Sequence, residues 1–140
     1  MTEVYLLDKS ALARAERTAV ARDAFLALDD AGLVATCAVV DLEVGYSART
    51  PAEYTSVLAD RKDLYVDLPM TRAVTQRAKA VQQELAMRSQ HRGPGVADLL
   101  IAACAELNDA IVVHYDRDFE TIAAVTGQPV RWLVPPGSVS

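Results

Sequence analysis

Several things are scarce or missing in this sequence, and each absence removes a class of function. There are only two cysteines, Cys37 and Cys104, each among small apolar neighbours and neither in a C-x-x-C spacing. A disulfide framework, a zinc knuckle and a dithiol redox centre are therefore unsupported, and buried free thiols are expected. No stretch approaches the ~18 consecutive apolar residues of a membrane span. The opening MTEVYLLDKSA holds a short apolar run ended by Asp8, without the basic lead and longer apolar core of a signal peptide. Together these features predict a soluble, cytoplasmic protein with no membrane partner.

Phosphate and nucleophile signatures are missing too. There is no G-x-x-x-x-G-K-[ST] loop, no G-x-G-x-x-G fingerprint and no G-x-S-x-G elbow. The two histidines, His91 and His114, do not form H-E-x-x-H; His114 reads as structural at a strand end, and His91 lies in a loop. No Pro/Gly/Ser-rich or highly charged stretch divides the chain, and no repeat is visible, so residues 1–140 read as one domain. With 51% hydrophobic residues the chain can bury a proper core unaided.

The net charge of −5 argues against a protein that merely coats nucleic acid. Its distribution is more informative. Between Arg72 and Arg92 stand Arg72, Arg77, Lys79, Arg88 and Arg92 against Glu84 alone, so the acids concentrate elsewhere.

Short β-branched or aromatic runs at Val4 to Leu7, Leu33 to Thr36, Leu64 to Leu68, Ile111 to His114 and Val130 to Val134 predict strands. Helical patterns lie between them. Ser10 to Leu28 fits one or two helices, and Thr50-Pro51-Ala52-Glu53 is a capping box opening a helix towards Asp60. Thr71 caps the longest helix, whose seam is Val74, Ala78, Val81 and Leu85 and which should end near Ser89. After the breaker QHRGPG, VADLLIAACAEL resumes an apolar helix. Strands alternating with helices predict an α/β fold, a three-layer α/β/α domain with a mainly parallel central sheet.

In such sheets the functional crevice lies beyond the carboxyl ends of the strands, and carboxylates stand there. Asp8 follows the first strand, Glu43 lies in the helix after the second, Asp98 opens the helix before IVVH, and Asp116 follows that strand. Each has a structural alternative. Asp8 can cap a helix, Asp98 can complement a helix dipole, and Asp116 and Asp118 can serve a turn. Glu43 fits these least well: helical spacing puts it within an apolar stripe of Val39, Val40, Leu42, Val44 and Tyr46, with Asp41 on the opposite, solvated side. A carboxylate so placed needs an ion pair, hydrogen bonds or a metal. Four acids converging from separate segments would repel one another without a cation, and all-oxygen ligation suits Mg²⁺ or Mn²⁺.

The segments LLDKSAL, DLEVGYSA, GVADLLIAACA and VVHYDRDFETIA, in that order, resemble the PIN-domain ribonucleases, and the length resembles the VapC type of bacterial toxin. The resemblance spans essentially the whole chain. It implies that Asp8, Glu43, Asp98 and Asp116 form the acidic metal-binding and catalytic quartet, with Asp118 as an additional acid and Ser10 as a supporting hydroxyl. Lys9 departs from the commonest pattern, where Thr follows the first Asp; Lys9 can face substrate phosphates or pair with an acid. The resemblance further implies an RNA substrate, a homodimer, and a small VapB-like antitoxin whose C-terminal segment covers the site. Arg88 and Arg92, with Arg14, Arg17 and Arg117, are candidates for a basic rim that attracts RNA, although a solvated helix face explains the Arg72 to Arg92 segment equally well.

Two other functions fit the same architecture. A phospho-acceptor or phosphatase domain should show D-x-D-x-T or adjacent acids after strand one, and Asp8-Lys9-Ser10 shows neither. A catalytically silent PIN-fold interaction module should have lost acids, and all four are present.

Overall fold

Residues 2–140 are described by the computed structural model. Five strands, β1 (Val4–Leu7), β2 (Leu33–Thr36), β3 (Val66–Asp67), β4 (Ile111–His114) and β5 (Val130–Trp132), lie in the order β3-β2-β1-β4-β5. Every neighbouring pair is parallel; Tyr5 faces Val34 on one side and Ile111 on the other. Parallel neighbours require long crossovers, which here are helical. They are α1 (Lys9–Arg17), α2 (Ala19–Ala31), α3 (Ala38–Tyr46), α4 (Pro51–Leu64), α5 (Arg72–Met87), α6 (Val96–Leu107) and α7 (Asp118–Thr126).

A strand covered on both faces must be apolar at every position, and the two-residue period of side chains then divides it between two cores. Leu6 and Val112 join Val40, the α5 seam, Ile101, Cys104, Phe119 and Ile122 on one face. Tyr5, Leu7 and Val113 join Ala11, Ala21 and Leu28 on the other. Helices on both sides of one sheet make the three-layer α/β/α arrangement. Cys37 and Cys104 are buried and free, and no helix among the described residues is long and apolar enough to cross a membrane.

Helix starts follow local chemistry. Thr18 ends α1 and caps α2, its hydroxyl accepting from the Ala21 amide at 3.2 Å, so the Ser10 to Leu28 pattern is two helices. Thr50 and Thr71 accept likewise from Glu53 and Val74. Several boundaries differ from expectation by a few residues. Leu64 ends α4 instead of starting a strand, which leaves β3 two residues pairing only with the end of β2. α5 stops at Met87, with Arg88 as its C-cap and Ser89 at φ 58°. β5 ends at Trp132, and Leu133 and Val134 are buried beyond it.

The chain runs outward from β1 through β2 to β3, then returns to place β4 on the other side of β1. That reversal opens a crevice at the carboxyl ends of β1 and β4.

Candidate metal centre

Asp8 leaves the end of β1 as the N-cap of α1 and is only 4% exposed. Its Oδ2 accepts from the Ser10 amide at 3.0 Å and from the Ser10 hydroxyl at 2.6 Å. Ser10 Oγ in turn accepts from the Tyr115 amide at 2.9 Å. One hydroxyl thus ties the first acid to the end of β4. Asp8 is therefore both a cap and a wall of the crevice.

Asp116 and Asp118 sit where β4 turns into α7. The Asp116 amide donates to His114 Nδ1 at 3.1 Å, and Asp116 Oδ1 accepts from the Asp118 amide at 2.9 Å. His114 is fully buried, stacked on Phe119, with Nε2 2.9 Å from Glu120 Oε2. With Nδ1 accepting, the Nε2 proton faces Glu120, and burial lowers the pKa of the ring. Asp98 enters from the first turn of α6, its Oδ2 accepting from the Gly95 amide at 3.0 Å. Each of Asp98, Asp116 and Asp118 offers an oxygen within 4.8 Å of the others. Asp8 and Glu43 stand outside that triplet.

The electrostatics couple both groups. Burial raises the pKa of Asp98 to about 6, against the Gly95 hydrogen bond, and the charges of Asp8, Asp116 and Asp118 push the same way. Glu43 is raised first by burial and then by Asp8, with Lys9 partly offsetting both; Lys9 thus acts on an acid. Asp118 is raised by burial and by Asp116. Glu43 Oε1 is buried without any hydrogen-bond partner.

The reason Glu43 is buried differs from the stripe inferred from its helix. Leu42 is 72% and Tyr46 90% exposed, while α3 buries only Val40 and Gly45. Asp41 is not solvated either. Its Oδ1 accepts from Arg61 Nε at 2.8 Å and from the Thr36 hydroxyl at 2.7 Å. A short helix at the sheet rim has no single core-facing side, so helical spacing misplaced Asp41 and gave Glu43 the wrong neighbours in Leu42 and Tyr46, although Glu43 does carry a buried oxygen. Arg61 escaped the sequence reading because its partners Thr36 and Asp41 lie 25 and 20 residues away along the chain.

The chain matches the PIN domain family over residues 5–125. It is 46% identical to ribonuclease VapC21 of Mycobacterium tuberculosis over 140 residues, covering 99% of both chains. With ribonuclease VapC51 of the same organism it shares 46% over 135 residues, 96% of each. The chain belongs to the PIN-domain family, among the VapC ribonucleases. In fold it is similar to VapBC2 from Rickettsia felis, solved bound to a DNA fragment from its promoter, with a TM-score of 0.75, 16% identity and coverage of 92% of this chain and 98% of that one.

PIN domains of the VapC kind generally depend on a divalent metal, and the donors here suit one: hard carboxylate oxygens, mutually repelling, one of them buried and unpaired. The basic candidates divide. Arg88 and Arg92 are exposed, and the loop carrying Arg92 lies against the acids: a Cβ on Gly93 would meet Asp118 Oδ1 at 3.7 Å, and one on Gly95 would meet Asp98 Oδ2 at 3.8 Å. Arg17 and Arg117 are exposed, Arg117 resting 5.7 Å from the Trp132 ring. Arg14 is half-buried, 4.7 Å over Tyr115. Arg77 is taken by Glu106 at 2.6 and 3.1 Å. A separate cavity of about 500 Å³, lined by Leu12, Phe25, Val44 and Tyr65 among others, includes none of Asp8, Glu43, Asp98, Asp116 and Asp118.

Proposed function

We propose that this protein is a Mg²⁺- or Mn²⁺-dependent endoribonuclease that hydrolyses RNA phosphodiesters in the cytoplasm as the toxin of a VapBC-type pair. The observation that carries the reading is the convergence of Asp98, Asp116 and Asp118 on one point, with the charge of Asp8 acting both on Asp98 and on Glu43, whose Oε1 is buried and unpartnered. Identity to the VapC ribonucleases across essentially the whole chain supports the same activity.

Asp8, Glu43, Asp98 and Asp116 would hold the ion, with Asp118 beside them and Ser10 keeping Asp8 in place. A divalent cation there supplies an activated water and neutralises charge developing on the phosphodiester. The chain's own residues do the rest. Ser10 and His114 hold Asp8 and the Asp116 backbone in their orientations through bonds of 2.6 to 3.1 Å. Arg92, on the loop beside Asp98 and Asp118, and Arg88 supply positive charge to an RNA backbone that the acids alone would repel. Arg14, Arg17 and Arg117 extend that rim.

The antitoxin follows from the same electrostatics. A basic side chain of a VapB-like partner inserted among the acids relieves their repulsion as a cation does, which blocks the site. The toxin works as a homodimer of single-domain subunits.

The test is cleavage of total cellular RNA with Mg²⁺ or Mn²⁺. Products should carry a 5′-phosphate and a 3′-hydroxyl, and EDTA should abolish them. A 2′,3′-cyclic phosphate, or full activity in chelator, contradicts the metal mechanism.

A further inference from the structure

Arg61 lies on α4, outside the acid crevice, and is 6% exposed. It is the one buried residue of that 14-residue helix. Its Nε donates to Asp41 Oδ1 at 2.8 Å and its Nη2 to Thr36 Oγ1 at 2.7 Å, while the Thr36 hydroxyl donates to Asp41 Oδ1 at 2.7 Å. The guanidinium lies 4.7 Å over the Tyr65 ring. Strand β2, helix α3 and helix α4 thus meet in one closed polar triangle.

That triangle bears on the rotation of α3 because, beside the apolar packing of Val40, Val39 and Val44 against the core, it supplies the directional polar bonds that tie the helix to β2 and α4. The helix has no side-chain N-cap, since Cys37 makes no capping bond, and it buries only Val40 and Gly45. At Gly45 a Cβ would come within 2.9 Å of the Tyr54 ring, so α4 presses closely there without giving a directional contact. Two helical residues apart is a turn of about 200°, so Asp41 and Glu43 point to roughly opposite sides of α3. Fixing Asp41 against Thr36 and Arg61 therefore fixes where Glu43 points. Glu43 has no bond of its own at Oε1 to do so.

We propose that Arg61 is a positioning residue for the metal centre: through Asp41 and Thr36 it sets the rotation of α3 and so presents Glu43 to the ion. The inference rests on the reading of the acids as a metal site. A group that orients a metal ligand without touching the metal typically costs about 10–100-fold in affinity when removed. A residue that only pinned α4 to the domain would change melting temperature and leave affinity alone.

The experiment is titration of the full chain with Mn²⁺ by calorimetry, well below the melting temperature of each variant and with folding checked by circular dichroism. Arg61→Met should raise the Mn²⁺ Kd by about 10-fold or more, and Arg61→Lys, which keeps the charge and one donor, should recover part of the loss. RNA cleavage by Arg61→Met should climb back towards wild type as Mn²⁺ is raised. If Arg61→Met fails to fold, Thr36→Val decides: loss of the hydroxyl should raise Kd by severalfold. A folded Arg61→Met or Thr36→Val protein with the wild-type Kd overturns the proposal. Wild-type protein that binds no Mn²⁺ overturns the metal reading itself, a result visible before any Arg61 variant is compared.

Discussion

Asp41 and Glu43 are two residues apart on one helix and are treated in opposite ways. Asp41 is enclosed by donors, a buried guanidinium and a hydroxyl, each within 2.8 Å. Glu43 has a buried oxygen with no donor and faces Asp8, which raises its pKa further. A folded chain rarely leaves a buried polar atom unpaired, because doing so typically costs about 1–3 kcal/mol. Within one short helix, Asp41 is thus satisfied by partners in the fold, while Glu43 keeps an unpaired oxygen, the donor that the proposed metal site would use. The same division runs across the molecule: Arg77 and Glu106 close a bidentate pair on the surface between α5 and α6, while Asp98, two turns back along α6, is gathered with further acids.

The largest effect should come from breaking the unsatisfied side. Asp98→Asn keeps the shape and removes one charge and one good ligand. Because even outer partners of a metal typically cost about 10–100-fold, RNA cleavage should fall by more than about 100-fold. Rates on a defined RNA at fixed Mn²⁺ check this. Breaking the satisfied side should act on stability as well as on metal affinity. Asp41→Ala strands Arg61 as an uncompensated buried charge, and losing one partner of a buried pair costs about 3–5 kcal/mol, less here because Asp41 is partly exposed. Denaturant melts should show a loss of about 2–3 kcal/mol for Asp41→Ala and none for Glu43→Gln.

A smaller effect separates the two regions by pH. The folded pKa of Asp98, about 6, lies above that of an ordinary carboxyl, because burial and neighbouring acids disfavour its charge. The folded protein therefore binds that proton more tightly than the unfolded chain. Metal-free stability from this group is full at pH below the ordinary carboxylate range and is lost as pH rises through about 6. Metal binding needs the ionised form and runs the other way. The Mn²⁺-induced rise in melting temperature should be small near pH 5 and grow to its full value above about pH 7. A shift independent of pH across that range would dissociate Asp98 from the ion.

The smallest effect belongs to the rim. Arg92→Ala should lower the salt slope of single-stranded RNA binding by about 0.7, one phosphate contact, with folding unchanged. An unaltered slope assigns Arg92 to the solvated surface.

Much of the fold was legible because parallel strands buried on both faces must be apolar throughout; VYLL, LVAT and IVVH could be found without knowing their partners. The strand at Leu64 to Leu68 was found too, but not that only Val66–Asp67 would pair, since two residues at an edge carry almost no pattern. At the candidate site, acids at strand ends stood out because parallel α/β topology puts those ends together, and the order of the four segments pointed to the family. What stayed hidden was long-range pairing. Asp41 looked like a surface acid because nothing local marks Arg61 as its partner, and Leu42 and Tyr46 looked like core because a short rim helix defies the rule that apolar means inward.

The central claim is that the acids store repulsion which a cation relieves, and thermal melting with and without Mn²⁺ tests it most directly. Near neutral pH, bound metal should add RT ln(1 + [Mn²⁺]/Kd), about 2.7 kcal/mol at a hundredfold excess, to wild-type stability. Asp98→Asn should melt at or above the wild-type temperature without metal and gain far less with it. An Asp98→Asn protein modestly less stable without metal, with an unchanged Mn²⁺-induced shift, would contradict the account and return Asp98 to the role of a helix-first-turn acid worth about 0.3–1 kcal/mol.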